Sequence, residues 1–273
     1  MGFIRPDRLP DIMVAPNGAR RTQSDHPALP VTIEEIVSTA RSCADAGAGA
    51  MHFHVRDNQQ RHVLDAGLYK EALAALEHAV PEMHLQITTE AVGRYSPDEM
   101  RQLGRDVMPP GISVGIAEMI PSRTPQPEDI KFYQDMAEAG VKLQHICYQP
   151  EDIDLVASVV GTAGLSHDDV WCLFCIGHYT GRVSRAELIP PFLDAAASHG
   201  LEVDWGICAF GPEEHDCLVE AVRLGGKLRV GFENCLLMAD GRVAADNAER
   251  VRAARDLLSH RHSQQGAGHA EPA

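Results

Sequence analysis

Apolar residues fall in eight runs of strand length, each rich in β-branched or aromatic side chains and nearly free of proline, and longer amphipathic segments separate them. The runs are IMVA (12–15), AMHFHV (50–55), MHLQITT (83–89), GISVGI (111–116), VKLQHICY (141–148), VWCLFCIG (170–177), LEVDWGICAF (201–210) and KLRVGF (227–232). Helical patterns fill the gaps at 33–47, 65–80, 97–104, 127–139, 151–163, 184–199, 212–224 and 246–259. The first has a start signal in Thr32 with Glu35 three residues on, the spacing of a capping box, and a stop signal in Gly47. Strands that read as continuous apolar sequence and alternate with helices specify a parallel sheet covered by helices. Eight such units close into a single-domain α/β structure, a (β/α)8 TIM barrel. An open doubly wound sheet is the rival, but no G-x-G-x-x-G follows the first run. The barrel is predicted to occupy 1–260, and the polar, small-residue stretch 261–273 is predicted to be a disordered tail.

The length of 273 residues suits this fold, which uses about 250 residues as one unit. No apolar run approaches the roughly 20 residues of a membrane helix, and the opening MGFIRPDRLPDIMVAP lacks a secretory pattern, so a soluble cytoplasmic protein is expected. Seven cysteines, an odd number, lie largely in the apolar runs and are expected to be free, buried thiols. With 39 acidic against 24 basic residues, the net charge of −15 argues against nucleic acid and anionic membranes as partners. A small anionic substrate stays open, provided particular arginines receive it.

The chemistry begins at His52 and His54. Two apart in a strand, both imidazoles leave one face of the sheet, and in a barrel that face can be the interior. An H-x-H pair alone is more often a hydrogen-bonded structural feature. Corroboration comes from Glu233 just past the eighth run, because the second and eighth strands feed the same layers of the barrel interior. Three ligands with N, N and O donors leave a coordination position open, which suits catalytic zinc; non-haem iron uses a similar set. Arg229 shares parity with Gly231 and Glu233, so its fork is expected inside, gripping a substrate carboxylate or closing a salt bridge. Glu118, His145 and His178 stand at or near predicted strand ends, where barrel enzymes carry their site. The Asn17-Gly18 turn with Arg20 and Arg21 is expected to form the first-loop rim.

The stretches APNGARRTQSDHPALPVT, AMHFHVRD, the TT of ITTEAVG, and KLRVGFEN together strongly resemble the β-keto acid cleavage enzymes, whose best-described members cleave 3-keto-5-aminohexanoate. The likeness runs over nearly the whole chain. It implies a zinc-dependent homotetrameric barrel in which His52, His54 and Glu233 match the metal ligands and Arg229 the arginine that engages substrate. It further implies that a small β-keto acid and acetyl-CoA, as co-substrate, become acetoacetate and a new acyl-CoA through condensation and retro-Claisen cleavage. Thr88, with Thr89 as a weaker candidate, matches a hydroxyl-bearing position that binds the substrate carboxylate.

Two departures stand out. Arg20 replaces a glutamate suited to a substrate ammonium, so a different substrate is expected. Asn234 replaces an aspartate tied to proton transfer, and an amide is no general base near neutral pH. Glu118 is the first replacement base to consider. Two other readings follow from Asn234: a CoA-independent metal-assisted lyase or hydrolase, and a non-catalytic ligand-binding barrel.

Overall fold

The computed structural model describes residues 2–178 and 181–267. Eight parallel strands close into a barrel in chain order, with β1 pairing both β2 and β8. They are β1 (Ile12–Val14), β2 (Ala50–Phe53), β3 (His84–Thr88), β4 (Gly111–Gly115), β5 (Lys142–Cys147), β6 (Val170–Ile176), β7 (Val203–Ala209) and β8 (Lys227–Val230). Every predicted run contains one of them. The helices α1 (Ile33–Ala46), α2 (Ala66–Ala79) and α3 (Pro97–Val107) follow β1 to β3, then come α4 (Ile116–Met119), α5 (Pro127–Glu138), α6 (Glu151–Thr162), α7 (Pro190–Ser198), α8 (Glu214–Leu224) and α9 (Asn247–Ala267). The Thr32–Glu35 capping box is present at the start of α1.

Alternation along the strands sorts side chains into two cores. Outward positions such as Val14, Phe53, Leu85, Ile87 and Val114 pack on the helices in one continuous cluster. Inward, Met13, Ala50 and Trp171 close the floor with Leu9, while Ile146, Leu173, Cys175 and Cys208 fill the level beneath the mouth. All seven cysteines are free and buried. Cys172 and Cys175 are three apart in β6 and therefore lie on opposite faces, so they do not form a pair.

Three features differ from the sequence expectation, each for a local reason. The helix predicted over 184–199 divides into a 3-10 turn, Ala186–Leu188, and α7, because Pro190 and Pro191 supply no N–H to a preceding turn. The single turn α4, too short to show periodicity, carries Glu118 at the end of β4. The helix predicted to end at 259 continues as α9 to Ala267, over the first residues of the expected tail, since nothing from Ser259 to Gln265 interrupts a helix. Residues 268–273 of that tail lie outside the described residues. Among the described residues no helix is long and apolar enough to cross a membrane.

Candidate metal centre and its pocket

His52 projects inward from β2, and His54 follows directly past its end, with its backbone N–H bonded to Asn17 Oδ1 (3.2 Å) and its carbonyl accepting from Asn17 Nδ2 (2.9 Å). Asn17 thus ties the first loop to the ligand-bearing strand. Glu233 arrives differently from the straight continuation of β8 expected from parity. The strand stops at Val230, and Gly231 turns the chain with φ +138°, where an added Cβ would lie 2.3 Å from the Ala15 carbonyl oxygen. The turn is closed by Asn234 N–H to Gly231 O and anchored by Glu233 N–H to Ala15 O, both 3.0 Å. It brings the Glu233 carboxylate back over the barrel mouth.

There the three donors meet. His52 Nε2 and His54 Nε2 are 3.1 Å apart, and each lies 3.5 Å from Glu233 Oε2. Donors about 2.0–2.1 Å from a tetrahedral ion stand about 3.3 Å from one another, so this triangle has the dimensions of a divalent-metal site. Among the described residues it is the one such group of three. Protonation suits the role as well. Burial pushes the His52 imidazole down to about 4 and His54 well below the usual histidine range, so both are neutral donors near pH 7. Burial works to raise the Glu233 carboxyl, but the Arg229 guanidinium and the two imidazoles outweigh it and hold the group well below the usual carboxylate range.

Around the triangle, His52 Nδ1 meets Gln86 Oε1 at 2.9 Å, and Gln86 Nε2 donates to Gln144 Oε1 at 3.1 Å. His54 Nδ1 meets His62 Nδ1 at 3.1 Å. Arg229, inward from β8 as expected, donates from Nη2 to Glu233 Oε1 at 2.7 Å, so it closes a salt bridge within the site. Of its two readings the salt bridge is the one observed, and the guanidinium also borders the cavity.

The cavity above the triangle is lined by His52, Arg229 and Glu233 together with Thr88, Ser113 and the carboxylates of Glu90 and Glu118. Thr88 Oγ1 accepts from the Glu90 N–H (3.0 Å), which leaves its own hydrogen for a ligand, whereas Thr89 spends its hydroxyl on Ser113 O (3.0 Å). Glu118 is present as expected and accepts from the Ala91 N–H at 3.2 Å. His145 is not in the cavity. It faces outward, stacked on Tyr133 and bonded to Trp171 O (2.9 Å), because Gln144 and Ile146 take the inward positions of β5. His178 packs edge-on against Tyr148 at the rim. Arg20 lines an outer groove with Arg56, His62 and Arg94, and its charge reaches Glu90 and Glu118. Arg21 ties the first loop to the last turn through Phe232 O (2.5 Å). Asn234 is fully buried, and neither atom of its amide has a protein partner among the described residues.

Four site residues escape the sequence reading. Glu90 lies two beyond Thr88, and its Oε2 comes within 3.9 Å of His54 Nε2; a charged residue directly after a barrel strand was the available signal. Ser113 shares an inward face with Gly111 and Gly115, and its hydroxyl has no partner among the described residues. Gln86 could have been noticed as a polar residue inside a buried strand. His62, on the β2–α2 loop, had no spacing to reveal it.

Gly18 backs the Glu233 side chain. Its φ is +61°, and a Cβ there would come 2.5 Å from Glu233 Cγ. Gly18→Ala is expected to keep the barrel but displace Glu233, weakening metal affinity at least about tenfold in addition to a left-handed strain of roughly 1–2 kcal/mol. Metal titration beside thermal melting checks this, and wild-type affinity would refute it.

A sequence profile of beta-keto acid cleavage enzymes matches residues 11–266. The 3-keto-5-aminohexanoate cleavage enzyme of Acetoanaerobium sticklandii is 29% identical over 247 residues, covering 86% of this chain and 86% of that protein. The 3,5-dioxohexanoate:acetyl-CoA acetone transferase of Paraburkholderia graminis is 24% identical, covering 90% of this chain and 89% of its own. Among solved structures, ObcA in a binary complex with oxaloacetate superimposes with a TM-score of 0.70 at 17% identity, a likeness of fold. That match covers 86% of this chain and 64% of the ObcA chain.

Proposed function

Since the chain belongs to the beta-keto acid cleavage enzyme family, we propose that it is a zinc-dependent enzyme exchanging acyl groups between a small β-keto acid and acetyl-CoA. In the reaction R–CO–CH2–COO⁻ plus CH3–CO–SCoA gives CH3–CO–CH2–COO⁻ plus R–CO–SCoA. The bond between the ketone carbon and C2 and the thioester C–S bond of acetyl-CoA break, C2 gains the acetyl group, and the sulfur gains the acyl group. The observation that carries this reading is the triangle of His52 Nε2, His54 Nε2 and Glu233 Oε2, with Arg229 beside it in the same cavity. The acetyl-CoA requirement is supported by the similarity to the 3,5-dioxohexanoate:acetyl-CoA acetone transferase of Paraburkholderia graminis.

His52, His54 and Glu233 would hold a divalent ion, which would supply Lewis-acid stabilisation of enolate charge. The chain's own groups do the rest. Arg229 and the Thr88 hydroxyl hold the carboxylate, the first by charge and the second by its remaining hydrogen. Ser113 offers donor and acceptor to the ketone end. Glu90, rather than Asn234, removes the C2 proton, since it is a carboxylate on the cavity wall within 3.9 Å of His54 Nε2. Asn234 closes the turn that carries Glu233 through its backbone N–H to Gly231 O, and its amide is no base. Arg20 at the rim favours a neutral or anionic R group over an ammonium.

The test is direct. Purified protein given acetyl-CoA and a panel of β-keto acids is expected to release acetoacetate and a matching acyl-CoA, to lose this activity with a chelator, and to regain it with Zn2+. Zinc-loaded protein that turns over no member of a broad panel would refute the proposal. Free acid in place of thioester in the product mass spectrum would favour the CoA-independent lyase or hydrolase. Tight binding without turnover would indicate a ligand-binding barrel.

A further inference from the structure

The geometry points to His62 as a positioning residue that fixes which nitrogen of His54 faces the metal, an inference that rests on the metal centre proposed above. His62 sits on the β2–α2 loop, 2% exposed, where an antiparallel bridge joins it to Arg56 and Arg94 Nη1 donates to its carbonyl at 3.3 Å. Its ring stands edge-on to Tyr95, with centroids 6.3 Å apart. The ring is thereby held against His54 by the loop rather than by the barrel.

The hydrogen positions follow from one end of the chain of contacts. His62 Nε2 lies 3.1 Å from the backbone carbonyl of Glu90. A carbonyl only accepts, so that nitrogen carries a hydrogen. A buried imidazole is neutral because burial penalises its charge, and a neutral ring has a single N–H. His62 Nδ1 is therefore an acceptor. Its partner at 3.1 Å, His54 Nδ1, must then be the donor. The second nitrogen of His54 is left with its lone pair, and that nitrogen, Nε2, is the corner of the triangle with His52 Nε2 and Glu233 Oε2. A backbone carbonyl two bonds' worth of hydrogen transfer away thus dictates that His54 presents a donor pair, not an N–H, to the cation. On the other side of the triangle Gln86 does the same for His52 directly.

Removing the acceptor at position 62 leaves the His54 Nδ1 hydrogen buried without a partner. The ring then gains by moving that hydrogen to Nε2, where Glu233 can accept it, and metal binding must first reverse the move. Outer partners of metal-bound histidines are generally worth about 10–100-fold in metal affinity. An asparagine at the same place puts its side-chain oxygen near the position of Nδ1 and restores an acceptor; leucine or phenylalanine does not.

The experiment uses full-length, metal-stripped protein titrated with Co2+, read by the visible absorption of the bound ion and by competition with a chelator. Wild type is compared with His62→Leu, His62→Phe and His62→Asn, and thermal midpoints of the metal-free proteins are measured alongside. We expect His62→Leu, or His62→Phe should the first not fold, to bind Co2+ about 10–100-fold more weakly. His62→Asn should bind nearly as tightly as wild type, whatever the order of the metal-free midpoints. An apolar variant with wild-type affinity, or an asparagine variant as weak as the apolar ones, would overturn the role of His62. Wild type that takes up no Co2+ would overturn the metal centre itself, and this inference with it.

Discussion

A His52→Ala, His54→Ala double variant is expected to emerge from purification without stoichiometric metal and with kcat/KM lowered by about 10³–10⁴-fold, the range that several kcal/mol of lost charge stabilisation corresponds to. The structural reason is that two of three donors disappear from a site whose third, Glu233, is already engaged by Arg229 through Oε1. A single carboxylate oxygen in a buried cavity does not hold a hydrated divalent ion. In the proposed site a bound cation would resolve a conflict: two neutral imidazoles present Nε2 atoms 3.1 Å apart, beside a carboxylate that stays ionised. Without the imidazoles the conflict is gone, and Glu233 keeps its ion pair with Arg229, so the barrel should fold. Elemental analysis of wild type and variant in one preparation, with the thioester assay alongside, checks both halves. A variant that retains one equivalent of metal would move the site elsewhere and remove the basis for the mechanism.

Much of this is legible in the sequence, for specific reasons. A buried parallel strand must be apolar on both faces, so all eight strands stood out against their amphipathic helices. The two histidines were legible because a period of two fixes a shared face. Glu233 is legible from its place just past the eighth run, whose strand feeds the same layers as the second; the turn after Gly231 that delivers its carboxylate over the mouth is not. The outer partners were illegible for a different reason. His62 and Gln86 matter through contacts across strands and loops, and no local spacing encodes which inward position meets which. Glu118 has the same limit: its place at a strand end is legible, but not that the Glu90 carboxylate comes within 3.9 Å of His54 Nε2.

That placement leads to the second large effect. Glu90→Gln is expected to lower kcat by about 10²–10⁴-fold, the usual worth of a positioned general base, while Glu118→Gln lowers it less than about tenfold. Glu118 spends Oε2 on the Ala91 N–H, which suits holding the β3–α3 loop, whereas the Glu90 carboxylate stands 3.9 Å from His54 Nε2 on the cavity wall. The pH profile separates the two further. Burial, helped by the charges of Glu233 and Glu118 and opposed by Arg20 and Arg229, pushes the Glu90 carboxyl up to about 8. A base works only when deprotonated, so kcat/KM should rise with pH through the pKa of this group. A bound cation favours the ionised form, so the rising limb should lie below 8 and above the ordinary carboxylate range of about 4. Glu90→Gln should flatten that limb, and Glu118→Gln should leave it in place. If the Glu118 variant instead loses both the rate and the limb while the Glu90 variant keeps them, proton transfer belongs to α4 and Glu90 serves only to shape the cavity.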